Sequence, residues 1–311
     1  MIDFTKRFNV GLPLDSDEKS LDAFLTEYAK YIDEVYFSLP LGSKFHSRRA
    51  IQRQFTSKKV VDKFPRLLGL YRKHGVKLEL VLNTNMLTRE ELQSARDYLD
   101  SFSLYPDSVC ILEEYAPIIR DIFPNCNYIL SYNSCVRTIS EVDKVQGEYD
   151  SWVVGSAGIR NNEMLKHITS RGSDVILLIN NGCSFNCTWC VDQANCKPTF
   201  DKNKKKHSVE YLYALQSVMP FELYDGTIDV SLVKTFKISN RVSDLKYLKN
   251  CLDSYMQNNT TSYIKRSKFN YGLWGRLGWF WKYFPFFSLK RLKKYKEEIV
   301  GHEVEINWTQ R

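Results

Sequence analysis

Short apolar runs alternate along the chain with longer stretches in which apolar residues recur at helical spacing. The runs are rich in Val, Ile, Leu, Phe and Tyr, a composition typical of buried strands. They predict eight strands, at residues 7–14, 34–39, 76–82, 108–112, 128–132, 152–155, 175–179 and 235–238.

The stretches between the runs have the spacing and the caps of helices. Residues 17–32 place Leu21, Phe24, Leu25, Tyr28 and Ile32 on one face. Thr88 precedes a helical stretch with Glu90 and Glu91 in its first turn, a pattern that caps a helix. Further helices are predicted at 140–146, 162–170, 209–219 and 243–257.

Strands that alternate with helices form parallel sheets, because right-handed crossovers return each strand beside the preceding one. Eight such units predict an α/β protein, a (β/α)8 TIM-type barrel over residues 1–257. An open, doubly wound sheet is the alternative, since closure cannot be read from a sequence.

Composition places the chain among ordinary globular proteins. Of its 311 residues, 43% are hydrophobic and 26% charged, which excludes a largely disordered chain. No run of 18 uncharged apolar residues occurs, and the N-terminus carries no apolar leader. We therefore expect a cytoplasmic protein whose eight cysteines are reduced.

The composition changes near the C-terminus. Residues 258–262 are predicted to be a linker, and residues 263–311 a basic aromatic segment. Between Tyr263 and Lys296 the chain carries ten Lys or Arg, twelve aromatic residues and no acidic residue. The net charge of +8 therefore belongs to this segment and not to the barrel.

Three interpretations of this segment stay open. Rings flanked by cations are typical of a segment that lies on an anionic membrane surface, which would place residues 263–296 at the inner face of the membrane. Aromatic and basic side chains also bind single-stranded nucleic acid. The third interpretation is that the rings pack on the barrel.

Four of the eight cysteines, Cys183, Cys187, Cys190 and Cys196, follow the seventh predicted strand directly. The spacing C-x3-C-x2-C-x5-C lets one loop wrap four thiolates around a single centre, either zinc or a [4Fe-4S] cluster. Only Cys187 and Cys190 form the C-x2-C pair that zinc sites use twice, so the spacing favours iron-sulfur.

The triplet Cys183, Cys187 and Cys190, with Trp189 before its last cysteine, resembles the signature of radical S-adenosylmethionine enzymes. That resemblance implies a cluster with three protein ligands and S-adenosylmethionine on the fourth iron. The position differs from that family, whose signature follows the first barrel strand. Cys196 would also be superfluous as a ligand.

A second resemblance covers most of the chain. Five segments are similar, in this order, to segments of the collagenase-like peptidase family U32. They are IDEVYFSLP with Ser47 and Arg48, YILSYNSC, GSAGIRNNEMLKHI, INNGCSFNCTWC and FKISNR. Among the members of that family are proteins of anaerobic ubiquinone biosynthesis and RNA hydroxylation. The chain departs from that family at Asn181, Ser239 and Asn240.

The second resemblance implies a TIM barrel with a cysteine-bound iron-sulfur cluster, acting in oxygen-independent hydroxylation of a small molecule or RNA. No G-x-S-x-G or H-E-x-x-H motif supports proteolysis. We therefore expect a redox enzyme rather than a peptidase. The alternatives are a radical S-adenosylmethionine enzyme, or a metal-stabilised scaffold recruited to a membrane or a partner.

Polar residues at predicted strand ends are candidates for the site, because barrel active sites lie on that face. Lys237 interrupts an apolar strand and Arg241 offers a fork for an anion, so each is either catalytic or part of a structural ion pair. Arg160 and Asn133 complete the predicted catalytic set. Weaker candidates are Asn83, Asn85, Glu113, Glu114 and Cys135.

Overall fold

The structure is a computed structural model that describes residues 2–45, 54–84, 87–134, 136, 138–155, 158–180, 217–238 and 244–266. Eight parallel strands close a barrel in sequence order, with β8 hydrogen-bonded to β1. This confirms the (β/α)8 barrel and excludes the open sheet. The strands are Phe8–Gly11 (β1), Ile32–Phe37 (β2), Lys77–Leu82 (β3), Ser108–Ile111 (β4), Asn127–Leu130 (β5), Ser151–Val154 (β6), Asp174–Leu178 (β7) and Thr235–Lys237 (β8).

Helices lie between the strands, and those at 18–28, 89–100, 139–144, 162–170 and 245–256 lie where helices were predicted. The predicted cap Thr88 is confirmed: Thr88 and Glu91 form a full capping box, in which the side chain of each accepts the other's backbone N–H. The helices are Glu18–Tyr28 (α1), Lys58–Lys73 (α2), Arg89–Asp100 (α3), Ala116–Ile122 (α4), Ile139–Lys144 (α5), Asn162–Ser170 (α6), Leu245–Met256 (α7) and Thr260–Arg266 (α8).

Side chains alternate between two cores along each strand, as the two-residue period requires. On β2, Val35 and Phe37 join the outer core between strands and helices, whereas Tyr36 joins a separate cluster inside the barrel. The inner cluster contains Tyr36, Val81, Cys110, Ile129, Val153, Ile176 and Leu178. Both strand faces are therefore buried, which explains the nearly continuous apolar runs in the sequence.

Two predicted boundaries differ from the structure. β1 ends at Gly11, short of residue 14, and Pro13 has no N–H to continue a ladder. The predicted helix 209–219 is wrong at its end, because Ser217 pairs with Asn180 in an antiparallel bridge. Residues 209–216 of that prediction lie outside the described residues.

Residues 258–262, predicted to be a linker, contain the start of a helix. α8 begins at Thr260 and packs against α7, with the rings of Tyr255 and Tyr263 5.2 Å apart. Tyr263 is buried. The first ring of the basic aromatic segment therefore belongs to the barrel core, and residues 267–311 lie outside the described residues.

Candidate functional site

The candidate site lies at the mouth of the barrel, where the strands have their carboxyl ends. β7 ends at Leu178, and segment 181–216 starts at this rim. Its cysteines Cys183, Cys187, Cys190 and Cys196 lie outside the described residues, as do Asn85, Cys135 and Arg241. Their assigned roles stay predictions.

The chain leaves the rim and returns to it at one point, which we call the neck and define as Ile179, Asn180, Ser217 and Val218. The N–H of Val218 donates to the carbonyl of Ile179 at 2.7 Å, next to the bridge between Asn180 and Ser217. The N–H of Ile179 in turn donates to the carbonyl of Lys237 on β8 at 3.1 Å. Both ends of segment 181–216 are thus fixed beside β7 and β8.

A buried ion pair holds the returning strand of the neck. Arg160, from the loop after β6, donates from Nε to Glu222 Oε1 at 2.7 Å and from Nη2 to Glu222 Oε2 at 3.2 Å. The same Nη2 donates to the carbonyl of Ser217 at 2.8 Å. Burial lowers the pKa of Arg160 to about 10, so the guanidinium stays charged at neutral pH.

Side chains of α7 complete the neck. The hydroxyl of Tyr255 donates to the carbonyl of Val218 at 2.7 Å, and Asn180 Nδ2 donates to the hydroxyl of Tyr247 at 3.0 Å. Both tyrosines are buried. Arg160 was predicted to be catalytic; the structure places it in this anchoring network.

The isolated cysteines behave as packing residues. Cys110, Cys126 and Cys251 are buried, as their dispersed positions predict. Burial raises the pKa of Cys126 to about 11 and that of Cys251 to about 12, so both are protonated thiols. Among the described residues, no three His, Cys, Asp or Glu side chains lie close enough to hold a metal ion.

The barrel interior contains a buried carboxyl group near the amino ends of the strands. Glu34 on β2 accepts hydrogen bonds from Asn9 Nδ2 and from the hydroxyl of Ser108, each at 2.8 Å. Burial raises the pKa of Glu34 to about 7, and the charge of Glu79 adds to this rise. Glu34 therefore exchanges a proton near neutral pH.

Above Glu34, Lys237 on β8 forms an ion pair with Glu79 on β3, and both side chains are almost completely buried. The ammonium also lies 4.6 Å from the ring centre of Tyr36. Burial alone would lower the pKa of Lys237, but Glu79 outweighs it and the net shift is upward. Lys237 was predicted to be either catalytic or part of a structural ion pair, and the structure shows the ion pair. The raised pKa keeps the amine protonated, which disfavours Lys237 as a nucleophile.

Two acceptor atoms of this network have no hydrogen-bond partner among the described residues, Asn9 Oδ1 and Glu79 Oε2. A barrel of this type advances about one residue per strand at a given height, which puts Asn9 and Glu79 in one layer. Acceptors without a donor, close to the two carboxyl groups of Glu34 and Glu79, favour protonation of one of these carboxyl groups. This agrees with the raised pKa of Glu34.

Amide and hydroxyl groups line part of the mouth. Asn83 follows β3 and donates from Nδ2 to Ser131 Oγ at 3.2 Å; Asn133 donates its backbone N–H to the same oxygen at 3.2 Å. Asn83 and Asn133 are partly exposed. The structure therefore brings these two predicted residues together beside the opening.

The ring of Tyr132 lies directly against the backbone of Gly155, at the end of β6. A Cβ on Gly155 would come within 2.1 Å of Tyr132 Cε2. Tyr132 also packs on the inner apolar cluster. Only glycine at position 155 leaves room for this ring, which covers one side of the interior.

An enzyme would need an open interior beside the cysteines, whereas a scaffold could fill this space with apolar side chains. The described interior is filled by the inner cluster and the ion pair. Packed layers of this kind occupy the interior of TIM-barrel enzymes too. The packing is therefore shared by both alternatives.

Glu113, a weaker candidate, has a structural partner. Its carboxylate accepts the N–H of Gln146 at 2.7 Å. Glu34, Glu79 and Glu222 are not among the site residues predicted from the sequence. The first two interrupt apolar runs at inward positions, a signal that could have identified them; Glu222 lies in a short 3-10 turn, Pro220–Leu223, without a periodic pattern.

Within the described part of the chain, none of the helices has the length and apolar character needed to cross a bilayer.

Comparison with known proteins supplies likenesses of fold. The sequence matches no protein-family model, and no curated protein matches it significantly. The U32 peptidase Mk0906 has a similar structure, with 13% identity and a TM-score of 0.46, over 76% of this chain and 94% of that one.

Other similar structures also carry the names of enzymes. N-acetylneuraminate lyase from Mycoplasma synoviae has 11% identity and a TM-score of 0.41, over 96% of this chain and 97% of that one. A tryptophan synthase alpha-subunit from Pyrococcus furiosus has 10% identity and a TM-score of 0.41, over 97% and 100%. Such distant likenesses say nothing about activity, and the fold rests on the barrel's own topology.

Proposed function

We propose that this protein is an iron-sulfur-dependent redox enzyme with its cluster at the mouth of the barrel. The observation that carries the proposal is the neck, which fixes both ends of the cysteine-bearing segment at the rim where barrel active sites lie. Cys183, Cys187, Cys190 and Cys196 would be the cluster ligands. When bound, a [4Fe-4S] cluster supplies one-electron transfer.

The donor set fits such a cluster in its chemistry. Four thiols within one short segment match a [4Fe-4S] centre, whereas Cys126 and Cys251 are buried thiols with raised pKa values and are unsuited to ligation. The dispersed cysteines are thus packing residues, and the clustered cysteines are candidate ligands.

The finer assignment, oxygen-independent hydroxylation of a small molecule or RNA, is supported by the resemblance to family U32. In this proposal the chain's own groups position the substrate: Asn83 and Asn133 offer amides at the mouth. Lys237 keeps a positive charge beneath it. Arg241 is the proposed contact for an anionic group of the substrate.

Serine substitutions test the ligand assignment. In anaerobically purified protein, Cys183→Ser, Cys187→Ser, Cys190→Ser and Cys196→Ser should each lower the iron content and the absorbance near ~400 nm. Cys126→Ser is the matched control, since its hydroxyl can keep the hydrogen bond to the carbonyl of Pro106. Equal iron in all five variants would overturn the assignment.

S-adenosylmethionine distinguishes the radical alternative. If Cys196 is the fourth ligand, the cluster has no open iron, and the reduced protein should not cleave that cofactor. Formation of 5'-deoxyadenosine would replace this proposal with the radical one. Stoichiometric zinc without iron would instead favour a metal-stabilised scaffold.

A further inference from the structure

One complete layer of side chains inside the barrel, near the amino ends of the strands, is polar. The strand registers, followed around the barrel with an advance of one residue per strand, place four inward-facing residues at the same height: Glu34, Ser108, Ser151 and Thr235. All four are buried. Barrels of this fold usually fill such a layer with Val, Ile and Leu, so the polar layer calls for an explanation.

The next layer toward the mouth is polar on one side only. The same registers place Asn9, Glu79, Ile129 and Ile176 in it. Both isoleucines belong to the inner apolar cluster, which continues toward the mouth. Below them, Ser151 and Thr235 carry shorter side chains than the branched apolar residues that usually occupy these places. The polar side of the two layers therefore has less apolar packing than the rest of the interior.

Three oxygen atoms of the two layers have no hydrogen-bond partner among the described residues. They are Asn9 Oδ1, Glu79 Oε2 and Thr235 Oγ1. At most 1% of each of these residues is exposed. Each side chain points inward, because its strand neighbours Phe8, Leu80 and Phe236 belong to the outer core. Buried polar atoms are nearly always hydrogen-bonded to protein or to ordered water, so these three atoms require partners.

The donors already present in the two layers are in use. Asn9 Nδ2 and the hydroxyl of Ser108 both donate to Glu34, each at 2.8 Å. Lys237 donates to the other carboxylate oxygen of Glu79. A single proton held by Glu34 or Glu79 supplies one further donor, which leaves at least two of the three atoms without a partner. Protonation alone therefore does not satisfy the layers.

A water molecule has the missing hydrogen-bonding capacity. Its two O–H groups can donate to Asn9 and Glu79, and its oxygen can accept the hydroxyl of Thr235, which matches the three hydrogen bonds that a buried water typically makes. A divalent metal ion is disfavoured, since Lys237 already neutralises Glu79 and the described residues contain no group of three metal-ligating His, Cys, Asp or Glu side chains.

We propose that the amino-terminal half of the barrel interior is an internal water site, in which ordered water is bound by Asn9, Glu79 and Thr235. This water completes a hydrogen-bonded network that runs from Glu34, at the amino ends of the strands, to Lys237 on β8. The site does not involve the cysteines and does not depend on the proposed cluster.

Quadrupolar relaxation dispersion of water ¹⁷O counts the water molecules that stay inside a protein far longer than surface water does. The full-length protein is compared with Thr235→Val, which keeps the shape of the side chain and removes its hydroxyl, and with Ser151→Val, which adds apolar volume to the same layer. Thr169→Val makes the first change on α6, where the threonine hydroxyl is exposed and donates to the carbonyl of Lys166.

We expect both interior variants to hold about one long-lived water fewer per chain than the wild type, and Thr169→Val to match the wild type. Thr235→Ser keeps the hydroxyl and should keep the wild-type count, which separates loss of the hydroxyl from a general disturbance of the barrel. Wild-type counts in both Thr235→Val and Ser151→Val would overturn the proposal. The count is independent of the iron content, so its outcome is distinct from that of the proposed function.

Discussion

Lys237 donates a hydrogen bond to Glu79 across the inside of the barrel, from β8 to β3 over the two intervening strands. The pair exists only because β8 closes against β1, so it reports on closure of the barrel. Its energetics can be tested without reference to the proposed cluster.

Lys237→Met should destabilise the protein by about 3 to 5 kcal/mol, because it leaves Glu79 buried without its partner. Lys237→Met combined with Glu79→Leu should recover most of that loss, since no unpaired charge remains. Denaturant unfolding measures both free energies. If the double variant is as unstable as the sum of the single variants, the two side chains do not form the pair described.

Stability should depend on the ionisation of Glu34. Its pKa is about 7 in the folded protein and about 4.3 in an unfolded chain, so the folded state holds the proton more tightly. This contribution is fully present below the unfolded value and is lost as the pH rises through 7. The difference is worth roughly 4 kcal/mol.

The variant Glu34→Gln isolates this effect. The charges of Asp33, Glu79 and Lys237 act on Glu34 and remain in the variant. Between about pH 4.5 and 7.5 the free energy of unfolding should fall less steeply in the variant than in the wild type. Parallel pH profiles would contradict the raised pKa.

Gly155→Ala should be destabilising, because the new methyl group would overlap the ring of Tyr132. Overpacking of this kind costs typically about 1 to 3 kcal/mol. Gly69→Ala in α2 is the matched control: nothing lies within 4 Å of its added Cβ, and alanine favours a helix by up to about 1 kcal/mol. Thermal unfolding of both variants measures the contrast, and a loss at Gly69 equal to that at Gly155 would contradict the contact.

Of the three interpretations of the basic aromatic segment 263–296, we propose the membrane contact for the part that follows Tyr263, whose ring packs in the barrel core. The full-length protein should sediment with anionic liposomes at low salt and less with neutral ones, since each engaged cation contributes about 1 kcal/mol. Replacing Lys290, Arg291 and Lys293 by Gln should weaken sedimentation more than replacing Lys58, Lys59 and Arg66. Equal effects, or an intact protein that stays in the supernatant, would contradict the proposal.

All eight strands could be predicted from the sequence because strands buried on both faces are apolar along their whole length. The two-residue period also places Glu34 and Glu79 inside the barrel, where their charges are conspicuous. Their partners could not be predicted, because Lys237 reaches Glu79 only after closure.

The neck was beyond prediction for a different reason. Its contacts join a loop after β6 to a short turn after segment 181–216, and neither has a periodic pattern. Ser217 was assigned to a helix because apolar residues precede it at helical spacing, but tertiary pairing with Asn180 determines its structure. The roles of the four clustered cysteines rest on the sequence.

The iron and acid-labile sulfide content of anaerobically purified full-length protein, measured with its electron paramagnetic resonance spectrum, tests the central claim most directly. The account predicts about four iron and four sulfide per chain, with the signal of a [4Fe-4S] cluster after reduction. A protein that carries one zinc per chain and no iron would contradict it.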